Sequence, residues 1–394
     1  MKKYMSLLLF ACLLACHSNN RKVAYDYNLV ETDRHISFEL DNETMYNFHY
    51  AWLFTGDDGR DYFSFLNYRS NQILFYDFNT QAFLFKIEMP REGPDGVFPI
   101  MGYYAGGFDR MYIATMSRAG SGLLQIDTTA HIVKKILYGI TPEGYEVNDS
   151  FWPSSSQPHN TPVFIGNKLY ITQRPYDSRT PGIVRPVSVA VDTANHTAEQ
   201  FPFTFNDVLT AAHTEKSAGG KTNFSRAFDG RRFIYSFYGL EAIFAASIDH
   251  QTIEKREAKS RYIDQLTFEA NIQDPEAGTR REAEIAAYGD LIYDPYREVY
   301  YRFAYPETTL DPSKSYFRKS VFGRKKFSVI ILDKNLNIIG ETLFPEAIFN
   351  SYVYFVHKDG LYISRDYQIG EDQTEDRLNY TCFELKKGGV PSHI

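Results

Sequence analysis

Short apolar strands alternate with polar turns along most of the chain, and the pattern repeats. In each repeat an apolar strand is followed by a short gap and by a second apolar strand that ends in Asp and a polar turn. Asp suits this position because its carboxylate can accept hydrogen bonds from the N–H groups of the turn. The second strands end at Asp77, Asp127, Asp192, Asp249 and Asp333, and a weaker copy covers residues 380–385.

The spacing of these strands predicts a β-propeller. A period of about 40–50 residues with four short strands is typical of one propeller blade. About six units fit between residues 61 and 385, and the last unit has no outer strand of its own. We therefore predict an all-β, six-bladed β-propeller of four-stranded blades, in which an N-terminal strand at residues 35–40 completes the last blade. A β-sandwich or two smaller β domains are the alternatives.

One segment, residues 270–287, has a helical pattern. Asp274, Pro275 and Glu276 form an N-terminal helix signal there. The helix is expected on the surface between the fourth and fifth blades. The alternative is that it forms a lid over the channel mouth.

The N-terminus has the features of a secretory signal. Lys2 and Lys3 precede an apolar run at residues 7–14, which is too short to span a bilayer. The sequence Leu13-Leu14-Ala15-Cys16 resembles the lipobox of bacterial lipoproteins, which implies cleavage before Cys16 and lipidation of its thiol. An ordinary signal peptide that contains Cys16 is the alternative. We predict a signal peptide at 1–15, a lipidated Cys and linker at 16–34, and a single propeller domain at 35–390.

The net charge and the residue composition argue against several classes of function and of binding site. The net charge is −7, which argues against a nucleic-acid-binding protein. The 30 Tyr and 31 Phe favour β structure. Cys382 is the one cysteine outside the signal and lipobox, so no intrachain disulfide or Cys-based metal site is expected. No His or carboxylate motif has metal-ligand spacing, so we predict neither a metal nor a cofactor.

The lipobox, the repeat and the phrase at residues 91–98 (REGPDGVF) together carry a family resemblance. The chain resembles an uncharacterised family of Bacteroidetes-type lipoproteins with a six-bladed, TolB-like β-propeller. The resemblance implies a fold and a cell-envelope location and no settled activity. The residues after Cys16 lack an acidic cluster that resembles a surface-export signal, which favours an outer-membrane lipoprotein facing the periplasm.

Arg and Tyr recur where the second strand of each unit ends. In a propeller these positions open on one face, so the guanidinium groups are expected to gather at the channel mouth. Arg presents a planar fork that suits carboxylate or phosphate. The predicted ligand-binding residues are Arg69, Arg118, Arg174, Tyr176, Tyr238, Arg302, Tyr305, Arg365 and Tyr367. The alternative is that each Arg pairs with a nearby acid or clamps neighbouring blades.

These features predict a binding protein rather than an enzyme. Its ligand would be an anionic small molecule or a glycan, or a protein partner in the envelope. Two other functions stay open: a glycan hydrolase or lyase that uses carboxylates in the same mouth, and a scaffold of an envelope complex that works through the propeller rim. No catalytic residue can be named, since no nucleophile motif occurs and the spatial separation of the carboxylates is unknown.

Overall fold

The structure, a computed structural model, describes residues 25–44, 49–115, 122–138, 160–173, 184–210, 222–269, 272–313, 315–316, 323–367 and 376–388. Within these ranges, strands carry almost all of the regular structure, and one α-helix and a 3-10 turn at Phe205–Asp207 complete it.

Four sheets are antiparallel units in which consecutive strands are neighbours. The first contains β2 (His49–Thr55), β3 (Asp61–Asn67), β4 (Gln72–Asp77) and β5 (Phe83–Glu88). The second contains β6 (Ile100–Ala105), β7 (Met111–Thr115), β8 (Gly122–Ile126) and β9 (Ile132–Leu137). The third contains β10 (Val163–Ile165), β11 (Lys168–Thr172), β12 (Ser188–Asp192) and β13 (Ala198–Gln200). The fourth contains β14 (Phe224–Phe228), β15 (Arg232–Phe237), β16 (Ala242–Ser247) and β17 (Ile253–Glu257).

The remaining strands form one eight-stranded sheet. It contains β18 (Ala287–Asp294), β19 (Val299–Tyr305), β20 (Ser328–Leu332), β21 (Ile338–Leu343), β1 (Tyr27–Glu39), β24 (Arg377–Lys387), β23 (Gly360–Ser364) and β22 (Asn350–His357), in that spatial order. The fold is all-β and propeller-like. The prediction of six separate four-stranded blades is wrong, because the strands form four such sheets and one larger sheet.

The N-terminal strand β1 accounts for the larger sheet. It runs antiparallel to β24 along most of its length, and its first residue, Tyr27, also pairs in parallel with Gly340 of β21. Position 340 requires glycine because a Cβ there would lie 2.0 Å from the Tyr27 carbonyl oxygen. The N–H of Leu29 donates to Thr342 Oγ1 at 2.8 Å. Strand β1 therefore joins two units that the sequence repeat counts separately, and it begins upstream of the predicted domain start at residue 35.

The hydrophobic core lies between successive sheets and runs around a ring. Separate clusters connect the first three sheets, the third with the fourth, and the fourth with β18–β21. A further cluster connects β18–β21 of the large sheet with its other strands, β1 and β22–β24. Another connects β1 and β22–β24 with the first sheet. In the last of these, Phe38 of β1 stacks on Phe63 of β3 at 4.3 Å.

The Asp residues that end the strands cap their turns as predicted. Asp77 Oδ1 accepts the N–H groups of Asn79 and Thr80 at 3.0 and 2.8 Å. These bonds satisfy backbone donors that lie beyond the strand ladder. The same arrangement occurs at Asp127, Asp192 and Asp333.

The predicted helix is confirmed. Helix α1 covers Pro275–Glu284 in the connection between β17 and β18, and Asp274 Oδ1 accepts the N–H of Ala277 at 2.7 Å. Across the described ranges, no helix has the length and apolar character that crossing a membrane requires.

Candidate functional site

A channel of about 1090 Å³ opens between the sheets. Its wall is built mainly from six strands that recur at every fourth position in chain order: β2, β6, β10, β14, β18 and β22. Residues from distant parts of the sequence therefore meet at one cavity. Ligand pockets are typically concave cavities of roughly 300–1,000 Å³, so this channel has room for a small ligand.

Asp290 lies in the channel wall, on β18. The pairing of β18 with β19 shifts register between Tyr288 and Leu291, so Gly289 and Asp290 form a β-bulge. Gly289 permits this close packing because a Cβ there would lie 2.6 Å from the ring of Tyr305. Bulges re-aim side chains, often beside functional sites. This bulge places a carboxylate that is only 3% exposed at the channel wall.

Two tyrosines donate hydrogen bonds to the Asp290 carboxylate. Tyr238 Oη donates to Oδ1 at 2.6 Å, and Tyr354 Oη donates to Oδ2. Burial and the nearby Asp290 charge raise the pKa of both phenols well above the ordinary value. Both phenols therefore stay protonated and remain donors at neutral pH. Together they orient the carboxylate and offset part of the cost of burying its charge.

Aromatic rings form another part of the channel wall. Trp52 meets the edge of Tyr104 with ring centroids 4.8 Å apart, and Tyr112 stacks on Phe164 at 4.8 Å. Trp52 is held in place because its Nε1 donates to the Tyr103 carbonyl oxygen at 2.7 Å. The wall of one cavity thus contains both a pre-formed aromatic surface and a buried, fixed carboxylate.

The other charged side chains of the wall are bonded within the fold. Arg226 donates to the carbonyl oxygens of Thr161 and Tyr170 at 2.7 and 2.9 Å. Arg110 and Asp229 make hydrogen bonds within their own turns. These contacts support the wall around the cavity.

Arg302, a predicted ligand-binding residue, is fully buried in the middle of β19. Its guanidinium donates to Ser236 Oγ at 3.0 Å and to four backbone oxygens of the β15–β16 turn and the end of β17. It also lies 3.8 Å from the centroid of the Tyr288 ring. Burial lowers the pKa of Arg302 to about 10, which leaves it charged at neutral pH. The donors of Arg302 are used to clamp the fourth sheet to the eight-stranded sheet, and a role of Arg302 in ligand binding stays a prediction.

Arg365 and Arg69 lie outside the channel lining. Arg365 donates to Glu31 Oε1 at 3.1 Å and to Thr381 Oγ1 at 3.2 Å, on strands β1 and β24. Arg69 is exposed in the turn after β3. The lining of the channel thus contains none of Arg69, Arg302 and Arg365. Four further predicted residues lie outside the described residues: Arg118, Arg174, Tyr176 and the lipidation residue Cys16.

Two of the predicted tyrosines, Tyr238 and Tyr305, lie beside the β-bulge that carries Asp290. Tyr238 bonds Asp290 directly, and the ring of Tyr305 packs against Gly289 of the same bulge. Burial, the neighbouring Tyr352 and the Asp290 charge raise the pKa of Tyr305 well above the ordinary value. The structure thus brings Tyr238 and Tyr305 together around one carboxylate.

A chain of contacts leads from Tyr305 to helix α1. Arg324 lies 5.1 Å from the centroid of the Tyr305 ring and donates to the carbonyl oxygen of Glu282 in α1. Tyr367 is buried and lies near Tyr316, which packs with α1 in a small hydrophobic cluster. The helix is therefore connected to the tyrosines around Asp290.

Asp290, Tyr354 and the aromatic wall were not predicted from the sequence. A signal for Asp290 was available, because a charged residue directly follows a glycine inside an otherwise apolar strand. Trp52 and Tyr354 gave no such signal, since aromatic residues are common throughout this chain.

Comparison with known proteins places the chain in a family. Residues 26–343 match the sequence profile of a family described as Domain of unknown function (DUF4221). No curated protein sequence matches the chain.

Two of the solved structures that are similar to this chain come from Bacteroides species. The crystal structure of a DUF4221 family member from Bacteroides vulgatus has a TM-score of 0.77 at 24% identity, covering 92% of this chain and 99% of that one. A Bacteroides fragilis protein whose name proposes that it is exported has a TM-score of 0.52 at 11% identity, covering 93% and 98%. At these identities, the likeness shows the fold alone.

Proposed function

This chain belongs to the DUF4221 family, and on that premise we propose that it is an exported, lipid-anchored binding protein whose channel takes a glycan ligand. The observation that carries the proposal is the shared cavity of the aromatic wall and the Asp290 carboxylate. The ligand would enter the channel, pack on the rings and hydrogen-bond to the carboxylate group.

The chemistry of the wall favours a glycan. Ligand pockets combine aromatic surface with a few fixed polar groups that set orientation. A sugar offers C–H faces that pack on rings such as Trp52 and Tyr104, and hydroxyls that can donate to a carboxylate. The phenols of Tyr238 and Tyr354 hold Asp290 in one orientation for this contact.

The charged groups of the channel favour a neutral glycan over an anionic ligand. Arg302 and Arg226 direct their donors at protein oxygens, and Arg365 pairs with Glu31 outside the channel. The fixed charge in the middle of β18 is a carboxylate, which repels an anion.

Location supports a role in the cell envelope. The basic start and apolar run form a secretory signal, and Leu13-Leu14-Ala15-Cys16 matches a lipobox. The similar Bacteroides fragilis protein is also named for export. Two or more acyl chains on Cys16 give stable attachment, with the propeller-like domain in the periplasm on the outer membrane.

Isothermal titration calorimetry against neutral hexose and pentose oligosaccharides, and against uronic-acid oligosaccharides, tests this function. We expect saturable binding of at least one neutral oligosaccharide. Asp290→Asn keeps the side-chain shape, removes the charge and should weaken binding at least about tenfold, which is about 1.4 kcal/mol. Trp52→Ala should weaken binding comparably.

Asp57→Asn is the matched control, because Asp57 is an exposed carboxylate in the β2–β3 turn. The Asp57→Asn variant should bind the oligosaccharide with the same affinity as the unmodified protein. Absence of binding to every neutral oligosaccharide at millimolar concentration, or equal affinities of the Asp290 and Asp57 variants, would contradict the proposal.

A further inference from the structure

An exposed cluster of arginine and aromatic residues lies outside the channel lining, where the second strand of the first sheet ends. Phe98 and Tyr68 are 50% and 39% exposed, which is high for such large rings. The Arg91 guanidinium lies 4.2 Å from the centroid of the Phe98 ring and donates to the Arg69 carbonyl oxygen at 3.4 Å. We call Tyr68, Arg69, Arg91 and Phe98 the arginine–aromatic patch.

The buried Asn71 holds both parts of the patch together. Its Nδ2 donates to the carbonyl oxygens of Met89 and Val97 at 3.1 and 2.6 Å, and its Oδ1 accepts the N–H of Ile100 at 3.3 Å. Asn71 adopts a left-handed backbone conformation (φ 64°), which Asn tolerates better than most residues. The turn that carries Arg69 is thereby fixed to the loop that carries Arg91 and Phe98.

Neither arginine of the patch forms an ion pair within the described residues, whereas the exposed arginines at 34, 60, 365 and 377 each pair with a carboxylate. Both side chains are cationic, and the turn and the loop that carry them are fixed to each other, so together they favour a negatively charged partner.

The shape and composition of the patch favour a protein partner. Small molecules bind in concave pockets that bury most of their surface, whereas these rings are half exposed outside the channel. Arg, Tyr and Phe are enriched at protein–protein interfaces, and rigid anchors reduce the entropy lost on binding.

We propose that the arginine–aromatic patch is a docking surface for an acidic segment of a protein partner. The acidic side chains of the segment pair with Arg69 and Arg91, and its apolar side chains pack on Phe98. This contact is independent of any ligand in the channel.

Fluorescence polarisation with a fluorescein-labelled peptide of alternating Glu and Tyr tests the proposal. The same peptide with Gln in place of Glu is the charge control. We expect the acidic peptide to bind at least about tenfold more tightly than the Gln peptide, with affinity falling as salt rises. The paired variant Arg69→Glu/Arg91→Glu should lose this binding, and Phe98→Ala should weaken it about fivefold or more.

Arg231→Glu is the matched control, because Arg231 is exposed in the β14–β15 turn at the opposite end of the strands. It should bind the acidic peptide normally, and Arg69→Gln/Arg91→Gln should show an intermediate loss. Equal binding of the two peptides, or unchanged binding after charge reversal, overturns the proposal. Arg-dependent binding of polygalacturonate without peptide binding also overturns it, in favour of an acidic glycan.

Discussion

Tyr354 donates its phenolic hydrogen to the Asp290 carboxylate from a strand at the opposite edge of the same sheet. Asp290 belongs to β18 and Tyr354 to β22, the two edge strands of the eight-stranded sheet. The two residues are 64 positions apart in sequence. This bond therefore closes the large sheet on itself at the channel, where the candidate site lies.

Tyr354→Phe removes one donor from the buried carboxylate. A buried polar group that loses a partner costs about 1–3 kcal/mol, so the free energy of unfolding should fall by that amount. Tyr296→Phe is the control, because Tyr296 is 55% exposed, and its change should stay within about 0.5 kcal/mol. Urea denaturation measures both. Equal stabilities of the two variants would show that the bond contributes nothing to closing the sheet.

Arg302→Met tests the assignment of Arg302 as a clamp between sheets. The substitution keeps a long apolar side chain and leaves several buried carbonyl oxygens without their donor. We expect unfolding free energy to fall by at least about 3 kcal/mol. Arg69→Gln, at an exposed arginine, should change it by less than about 0.5 kcal/mol. A fully stable Arg302→Met protein would contradict the role of Arg302 as a clamp between sheets.

The turns were predictable from the sequence because their chemistry is local. An Asp at a strand end bonds N–H groups only two to four residues away, so Asp77 and its counterparts reveal the strands without tertiary information. The signal for helix α1 at Asp274 is local in the same way.

The merged sheet and the site depend on contacts that sequence spacing does not encode. In the sequence, Gly340 has no feature that distinguishes it from other strand glycines. Its importance follows from its contact with Tyr27, which comes from the other end of the chain. The sequence places Arg302 at the end of a strand. In the structure β19 continues to Tyr305, so Arg302 is buried between sheets. Asp290 reaches the channel through a bulge, and the repeat pattern gives no register shift at that point.

Acid should destabilise the protein through His250. This side chain stacks on Phe201 at 4.3 Å and lies 2.5 Å from the Tyr235 hydroxyl, and burial with the Arg226 charge lowers the pKa of His250 from 6.5 to about 4. Between these values the unfolded chain binds a proton that the folded protein does not. Stability is therefore retained above pH 6.5 and falls by up to about 3 kcal/mol as the pH drops towards 4.

His250→Asn should flatten this part of the pH profile, and Asn suits the left-handed backbone at φ 55°. His131→Asn, at an exposed histidine, should leave the slope unchanged. Unfolding free energies at intervals between pH 4 and pH 7 give the slopes. Equal slopes in the unmodified protein and His250→Asn would remove His250 as the cause.

Cys16→Ser should release the protein from the membrane. Expression in a bacterium with a lipoprotein pathway, with radioactive palmitate labelling and detergent phase partitioning, measures the anchor. Cys12→Ser is the control, because it changes a cysteine inside the predicted signal and should leave labelling intact. Labelled, membrane-bound Cys16→Ser protein would contradict lipidation at this residue.

The fluorescence of Trp52 tests directly whether the channel is the ligand site. The chain has two tryptophans, and replacing the other by Trp152→Phe leaves Trp52 in the channel wall as the reporter. Titration with the oligosaccharide that binds in calorimetry should change the Trp52 emission with the same midpoint as the heat signal, and Asp290→Asn should shift both midpoints together. Binding heat without any change in Trp52 emission would contradict the account, because the glycan would then bind outside the channel.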